Sequence, residues 1–163
     1  MRTTDPAADA AVPQSRTLDR MRRACALLAV ASAVGGMVEL AMLRHWNGIQ
    51  VAPWVIFAVV TIAGIGAVGG RWRRFTQIAG GLGLFGAAAG LWHHIDTNHA
   101  RGAEFLETWD AFSGAEQWWF AFNGTVGPAP ALAPGLLGLA GALLLVAVMD
   151  RERAKHSPAR RKS

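Results

Sequence analysis

Four apolar runs take up most of this chain: Ala24 to Leu43, Val51 to Gly70, Phe75 to Leu91 and Ala131 to Met149. Crossing the hydrocarbon core of a bilayer takes about 20 predominantly apolar residues in helical form, and each run meets or approaches that length. Lipid offers no partner for backbone N–H and C=O groups, so a spanning segment must pair them within itself, as a helix does. The expected fold is all-α, a four-transmembrane-helix bundle over residues 24–150. Short basic tails, 1–23 and 151–163, are expected to be disordered. Of the 163 residues, 52% are hydrophobic and the mean hydropathy is +0.25, above what an ordinary soluble domain needs. A single cysteine, Cys25, excludes an internal disulfide, so stability must come from helix packing.

The basic residues are one-sided. Arg2, Arg16, Arg20, Arg22 and Arg23 precede the first run; Arg71, Arg73 and Arg74 separate the second from the third; Arg151, Arg153, Lys155, Arg160, Arg161 and Lys162 follow the fourth. Only Arg44 and Arg101 remain for the opposite side. Cytoplasmic flanks carry the Arg and Lys excess, so both termini are expected inside a bacterial cytoplasmic membrane, with 92–130 as an outer cap. The net charge of +5 and a pI near 11.0 are thus a signal of topology and of anionic lipid, not of nucleic acid, for which no folded reader module is present. Arg22-Arg23, an apolar stretch and Ala31-Ser32-Ala33 also outline a signal peptide. The apolar run continues to Leu43, past the usual length of such a core, which favours an uncleaved first helix.

Small residues recur at packing intervals. Gly66/Gly70 and Gly86/Gly90 are GxxxG spacings, and Ala31/Gly35 and Gly138/Ala142 are small-xxx-small. They permit close helix approach within the bundle, or a seam for self-association or for other membrane subunits. Trp46, Trp54, Trp72 and Trp92 fall near run ends, as in an aromatic belt. In the cap, Phe105, Leu106, Trp109 and Phe112 form one helical stripe and Trp118, Trp119 and Phe122 another, which predicts two short amphipathic helices separated at Ser113-Gly114.

Polar groups with chemical potential gather on the cap side. Glu39 lies inside the first run, four residues before Leu43, and an ionisable group there is a functional candidate by default. His45 follows that run, while His93, His94, Asp96, Asn98 and His99 follow the third; Glu104 and Glu107 come next. If the third helix continues outward, His94 and Asn98 share a face at i, i+4, and Asp96 and His99 do so at i, i+3. Three readings compete. One is structural: these groups satisfy helix ends and hold the cap. The second is an outer-face metal ion held by His45, His93, His94 and His99 with Glu39 or Asp96, or a haem between His45 and His93 or His94 if helices one and three are adjacent. The third is proton-coupled transport or quinone handling with Glu39 as proton carrier. No HExxH, CxxC or repeated Glu-x-x-His pattern specifies a metal geometry, no internal repeat suggests a transporter, and no nucleophile context suggests catalysis, so a metal ion or haem stands as an alternative and not as the expected cofactor. The first reading gives a non-enzymatic membrane subunit or accessory protein.

Glu39 with Arg44-His45-Trp46, then Gln50, Pro53 and Trp54, His94 and Asn98, Trp109, Glu116-Gln117-Trp118-Trp119, and Val126 through Gly135 resemble small four-span membrane proteins of high-GC, actinobacterial-type bacteria. The likeness covers residues 24 to about 150, and its most specific parts are Gln117-Trp118-Trp119 and the Gly127-Pro128-Ala129-Pro130 passage. Glu104-Phe105 comes later than in that pattern. The resemblance implies the four-span topology and the outer position of the polar cluster.

Overall fold

A computed structural model describes the chain over residues 6–126 and 132–149, with side chains from residue 16 onward. Among the described residues it is all helix and turn, without strands. Among these residues six helices follow one another: α1 (Pro6–Met42), α2 (Val51–Val68), α3 (Arg73–Ala100), the single turn α4 (Gly102–Phe105), α5 (Gly114–Asn123) and α6 (Leu132–Val148). Two 3-10 turns, Gly48–Gln50 and Trp109–Ala111, join them.

Three helical segments are long and apolar enough to cross a bilayer: Arg16–Met42, Gly48–Val68 and Arg73–Ala100. Their apolar windows are only 22 to 33% buried within the chain. So much outward-facing hydrocarbon, including Leu27, Val38, Ile65, Ile78 and Phe85, is costly in water and natural in lipid. The described part of α6 is shorter, 17 residues, or about 25 Å at the helical rise.

The long helices close into a ring in the order α1, α2, α3, α6, with α2 and α6 also touching across one diagonal. Small residues set the distances. A Cβ built on Gly141 of α6 would lie 2.7 Å from the Gly80 carbonyl oxygen and 2.9 Å from the Leu84 nitrogen of α3, so those backbones meet with no room for a side chain. Gly36 of α1 receives the ring of the fully buried Phe57, and Gly64 of α2 receives Val30. Gly66, Gly86 and Gly90 likewise meet Trp72, Ile56 and Pro134 of their own chain, and Gly70 turns the α2–α3 link at φ +72°. The four glycines of the two GxxxG spacings are therefore used inside the molecule.

At the Arg-rich end the last carbonyls of α6 are met by cations. Arg22 of α1 donates to Met149 O at 3.0 Å and Arg73 of α3 to Val148 O at 3.3 Å. Terminal helix carbonyls lack intrahelical partners and carry the negative end of the dipole, so two guanidinium groups suit that position.

Two boundaries differ from expectation. Residues 6–23, expected to be a disordered tail, belong to α1. Pro6 stands at the first helical position, where no N–H is missed, and Ala7, Ala8, Ala10 and Ala11 are strong helix formers. The third helix runs to Ala100, nine residues beyond its apolar stretch, because His93 through His99 include groups that pack instead of fraying. The tail 151–163 and the proline-rich passage 127–131 lie outside the described residues.

Candidate functional site

The outward extension of α3 divides the polar cluster into two groups. Asn98 and His99 turn into the cap. Asn98 is 3% exposed, and its Nδ2 donates to the Ala121 carbonyl of α5 at 3.3 Å. The His99 ring stacks on Trp118 at 4.1 Å between centroids and 18° between planes, and meets the edge of Trp109 at 5.6 Å. Trp118 in turn stacks on Trp92 at 5.7 Å. The result is a ladder of Trp92, Trp118 and His99 that clamps α5 against α3.

The rest of the cap is built around Trp109, which is 6% exposed and lies against Ala121, Val126, Ile95, Leu106 and Phe120. Gly102 leaves the space its indole fills; a Cβ there would fall on the ring. Gln117 Nε2 donates to Trp109 O at 2.9 Å, joining the 3-10 turn to α5. The first expected amphipathic helix does not form as one element. It resolves into α4 and the 3-10 turn, because Leu106 is extended at φ −132°, ψ 114°. The second expected helix is α5. Ser113 and Glu116 form a reciprocal capping box at its start, and Gly124 ends it in the left-handed region at φ +72°. The Ser113 hydroxyl and backbone N–H both donate to Glu116, at 2.7 and 2.8 Å, holding its carboxyl below the usual carboxylate range.

Glu39, His45, His93 and His94 form the second group. The Glu39 carboxyl lies near the Ala133 backbone N–H in the first described turn of α6 and within electrostatic range of His45. One of its oxygens, Oε2, is buried without a hydrogen-bond partner among the described residues. A carboxyl from α1 thus lies beside the first described turn of α6, while Arg22 and Arg73 donate to carbonyls at its other end. His45 Nδ1 lies 3.2 Å from Leu43 O, and the His45 carbonyl accepts from Trp54 Nε1 at 2.8 Å. Trp54 stacks on Trp46 at 4.9 Å, which fixes the α1–α2 corner. His94 lies within electrostatic range of both His93 and His45. Among the described residues, no three His, Cys, Asp or Glu side chains come together as a metal-ligand set. Helices α1 and α3 stand at opposite corners of the ring, with α2 and α6 beside both, so adjacency of α1 and α3, the condition for a haem between them, is not how the bundle is arranged.

The remaining candidates are at the surface. Asp96 and Glu107 are exposed. Glu104 takes two donations from Arg101, 2.6 and 2.9 Å, in an i, i+3 pair that holds its carboxyl below the ordinary range. Gln117 and Gly102 were not singled out as site residues. The i, i+8 contact from Gln117 to the Trp109 carbonyl crosses the extended pair Phe112-Ser113, which no periodicity reports.

Fold and site together define an all-helical protein with three membrane-length helices and an aromatic cap at the His-rich end. Comparison with known protein families, characterised proteins and solved structures finds no match.

Proposed function

We propose that this chain is a four-span protein of a bacterial cytoplasmic membrane, with both termini inside, that serves as a non-enzymatic membrane subunit or accessory protein. The observation that supports the structural role of its polar cluster is the use of Asn98 and His99. A buried amide and an imidazole that sequence would offer to a metal are engaged in joining α5 to α3. Glu39, with one carboxylate oxygen buried and without a hydrogen-bond partner among the described residues, lies beside the first described turn of α6. The one-sided Arg distribution supports the orientation, and the apolar α6 supplies the fourth span.

Single-cysteine labelling in intact cells tests the topology, in a Cys25→Ser background. Thr108→Cys is expected to react with an impermeant thiol reagent from outside and Arg71→Cys to react only after lysis; the reverse pattern overturns the orientation. The competing metal or haem reading rests on the electrostatic proximity of His45, His93 and His94. A Soret band or stoichiometric metal in the purified protein, lost in a His45→Ala, His94→Ala variant, would replace the structural role with a binding one.

A further inference from the structure

The exposed half of α5 is not uniform. At helical spacing Trp118, Ala115 and Phe122 make one edge, Trp119 the crest, and Glu116 and Asn123 the other edge. Trp119 and Phe122 are 60% and 56% exposed and stack on each other at 6.0 Å. The aromatic edge adjoins Trp92 through the Trp92–Trp118 stack. Trp92 is itself the last member of an exposed stripe on α3, Ile78, Phe85 and Trp92, spaced at seven residues. One apolar surface therefore runs along the flank of α3 and continues without interruption onto the cap.

From this continuity we infer that the aromatic edge of α5 is embedded in the lipid headgroup and upper acyl region of the same leaflet. The cap is thus a membrane-anchored ledge, not a domain standing free in water. Phe85 and Ile78 require lipid if α3 crosses the bilayer, and the stack carries that environment up to Trp118. The chemistry suits the depth: indole rings favour the boundary, where one side is apolar and the N–H is wet. The opposite edge, Glu116 and Asn123, together with exposed Asp110, suits water. The inference rests on the membrane-spanning reading of α3.

Site-directed spin labelling of the full chain in phosphatidylcholine/phosphatidylglycerol bilayers tests it, with single cysteines in the Cys25→Ser background. The readout is collision with oxygen, which concentrates in lipid, against a water-soluble nickel chelate. Phe122→Cys and Trp119→Cys are expected to give an oxygen-to-nickel ratio several-fold above that of Asp110→Cys and below that of Phe85→Cys. A ratio at Phe122 and Trp119 equal to that at Asp110 would place the edge in water and overturn the inference. Shielding from both reagents would assign the edge to a protein partner or second copy and overturn it equally. If Phe85→Cys itself reads as aqueous, the spanning assignment of α3 has failed, which is a separate result.

Discussion

The bundle and the cap are held together by different means, though α3 belongs to both. Between the long helices the tightest contacts are backbone on backbone or side chain on glycine: Gly141 on Gly80 and Gly83, Phe57 in the space at Gly36. The cap holds by directed polar bonds and stacked rings: Asn98 to Ala121, Gln117 to Trp109, His99 on Trp118. In lipid an apolar side chain gains little by leaving its surroundings for another helix, so close fit must supply the attraction. The cap lies beyond the apolar stretch of α3, where short helices are marginal by themselves, and it relies on caps, hydrogen bonds and aromatic area.

If that contrast is right, the largest effect should come from filling the tightest helix contact. Gly141→Ala forces α3 and α6 apart, because the atoms a Cβ would meet are backbone. A loss of about 3 kcal/mol is expected for such overpacking, read as a lowered midpoint in detergent unfolding. The cap should fail separately. Asn98→Ala removes the bond to Ala121 together with an amide oxygen that is buried without a partner among the described residues, and is expected to cost about 1.5 kcal/mol of cap docking. Hydrogen exchange in α5 should rise while α2 and α6 keep their protection; equal loss in all three would show that bundle and cap are one cooperative unit.

A smaller effect is expected at the start of α5. Ser113→Ala removes the N-cap and should cost about 1 kcal/mol of local stability, visible as faster exchange at Glu116 and Gln117. The same box carries a pH dependence. Because the folded carboxyl of Glu116 titrates below its ordinary value, its contribution is complete above the usual carboxylate range and is lost as pH falls through the lowered value. Protection of α5 should therefore decline in acid in the native chain, and the decline should be weaker in Ser113→Ala. The smallest effect belongs to Gly81→Ala. Nothing lies within 4 Å of a Cβ there, so the change that disrupts the bundle at Gly141 should shift the midpoint by less than about 0.5 kcal/mol. Comparable losses at Gly81 and Gly141 would mean that Gly81 faces a second copy.

Much of the bundle was legible because lipid imposes a simple rule on composition. Runs of apolar residues near the bilayer's thickness, with Arg at alternate boundaries, mark helices and their ends, and three of the four expected runs appear as membrane-length helices. The extent of α1 back to Pro6 was missed because charge in 16–23 argues for a tail, whereas helix propensity and the pairing of Arg22 with the end of α6 favour continuation. In the cap, α5 was readable from its aromatic stripe and from the break at Ser113-Gly114, whereas the Ser113–Glu116 capping box emerged only from the structure. The segment 102–112 was not, since its apolar spacing imitates a helix while Leu106 is extended.

The sequence by itself determined the solvent this protein is made for, the helical class that solvent demands, and the end at which its imidazoles and carboxylates collect. Only tertiary structure decided what those groups do. Asn98 and His99 look equivalent to His93 and His94 along the chain, separated by barely one turn. Their roles diverge because the chain returns through α5 and lays Ala121, Trp109 and Trp118 against one face of α3 alone. Periodicity records which residues share a face of their own helix; it carries no information about which distant segment that face will meet.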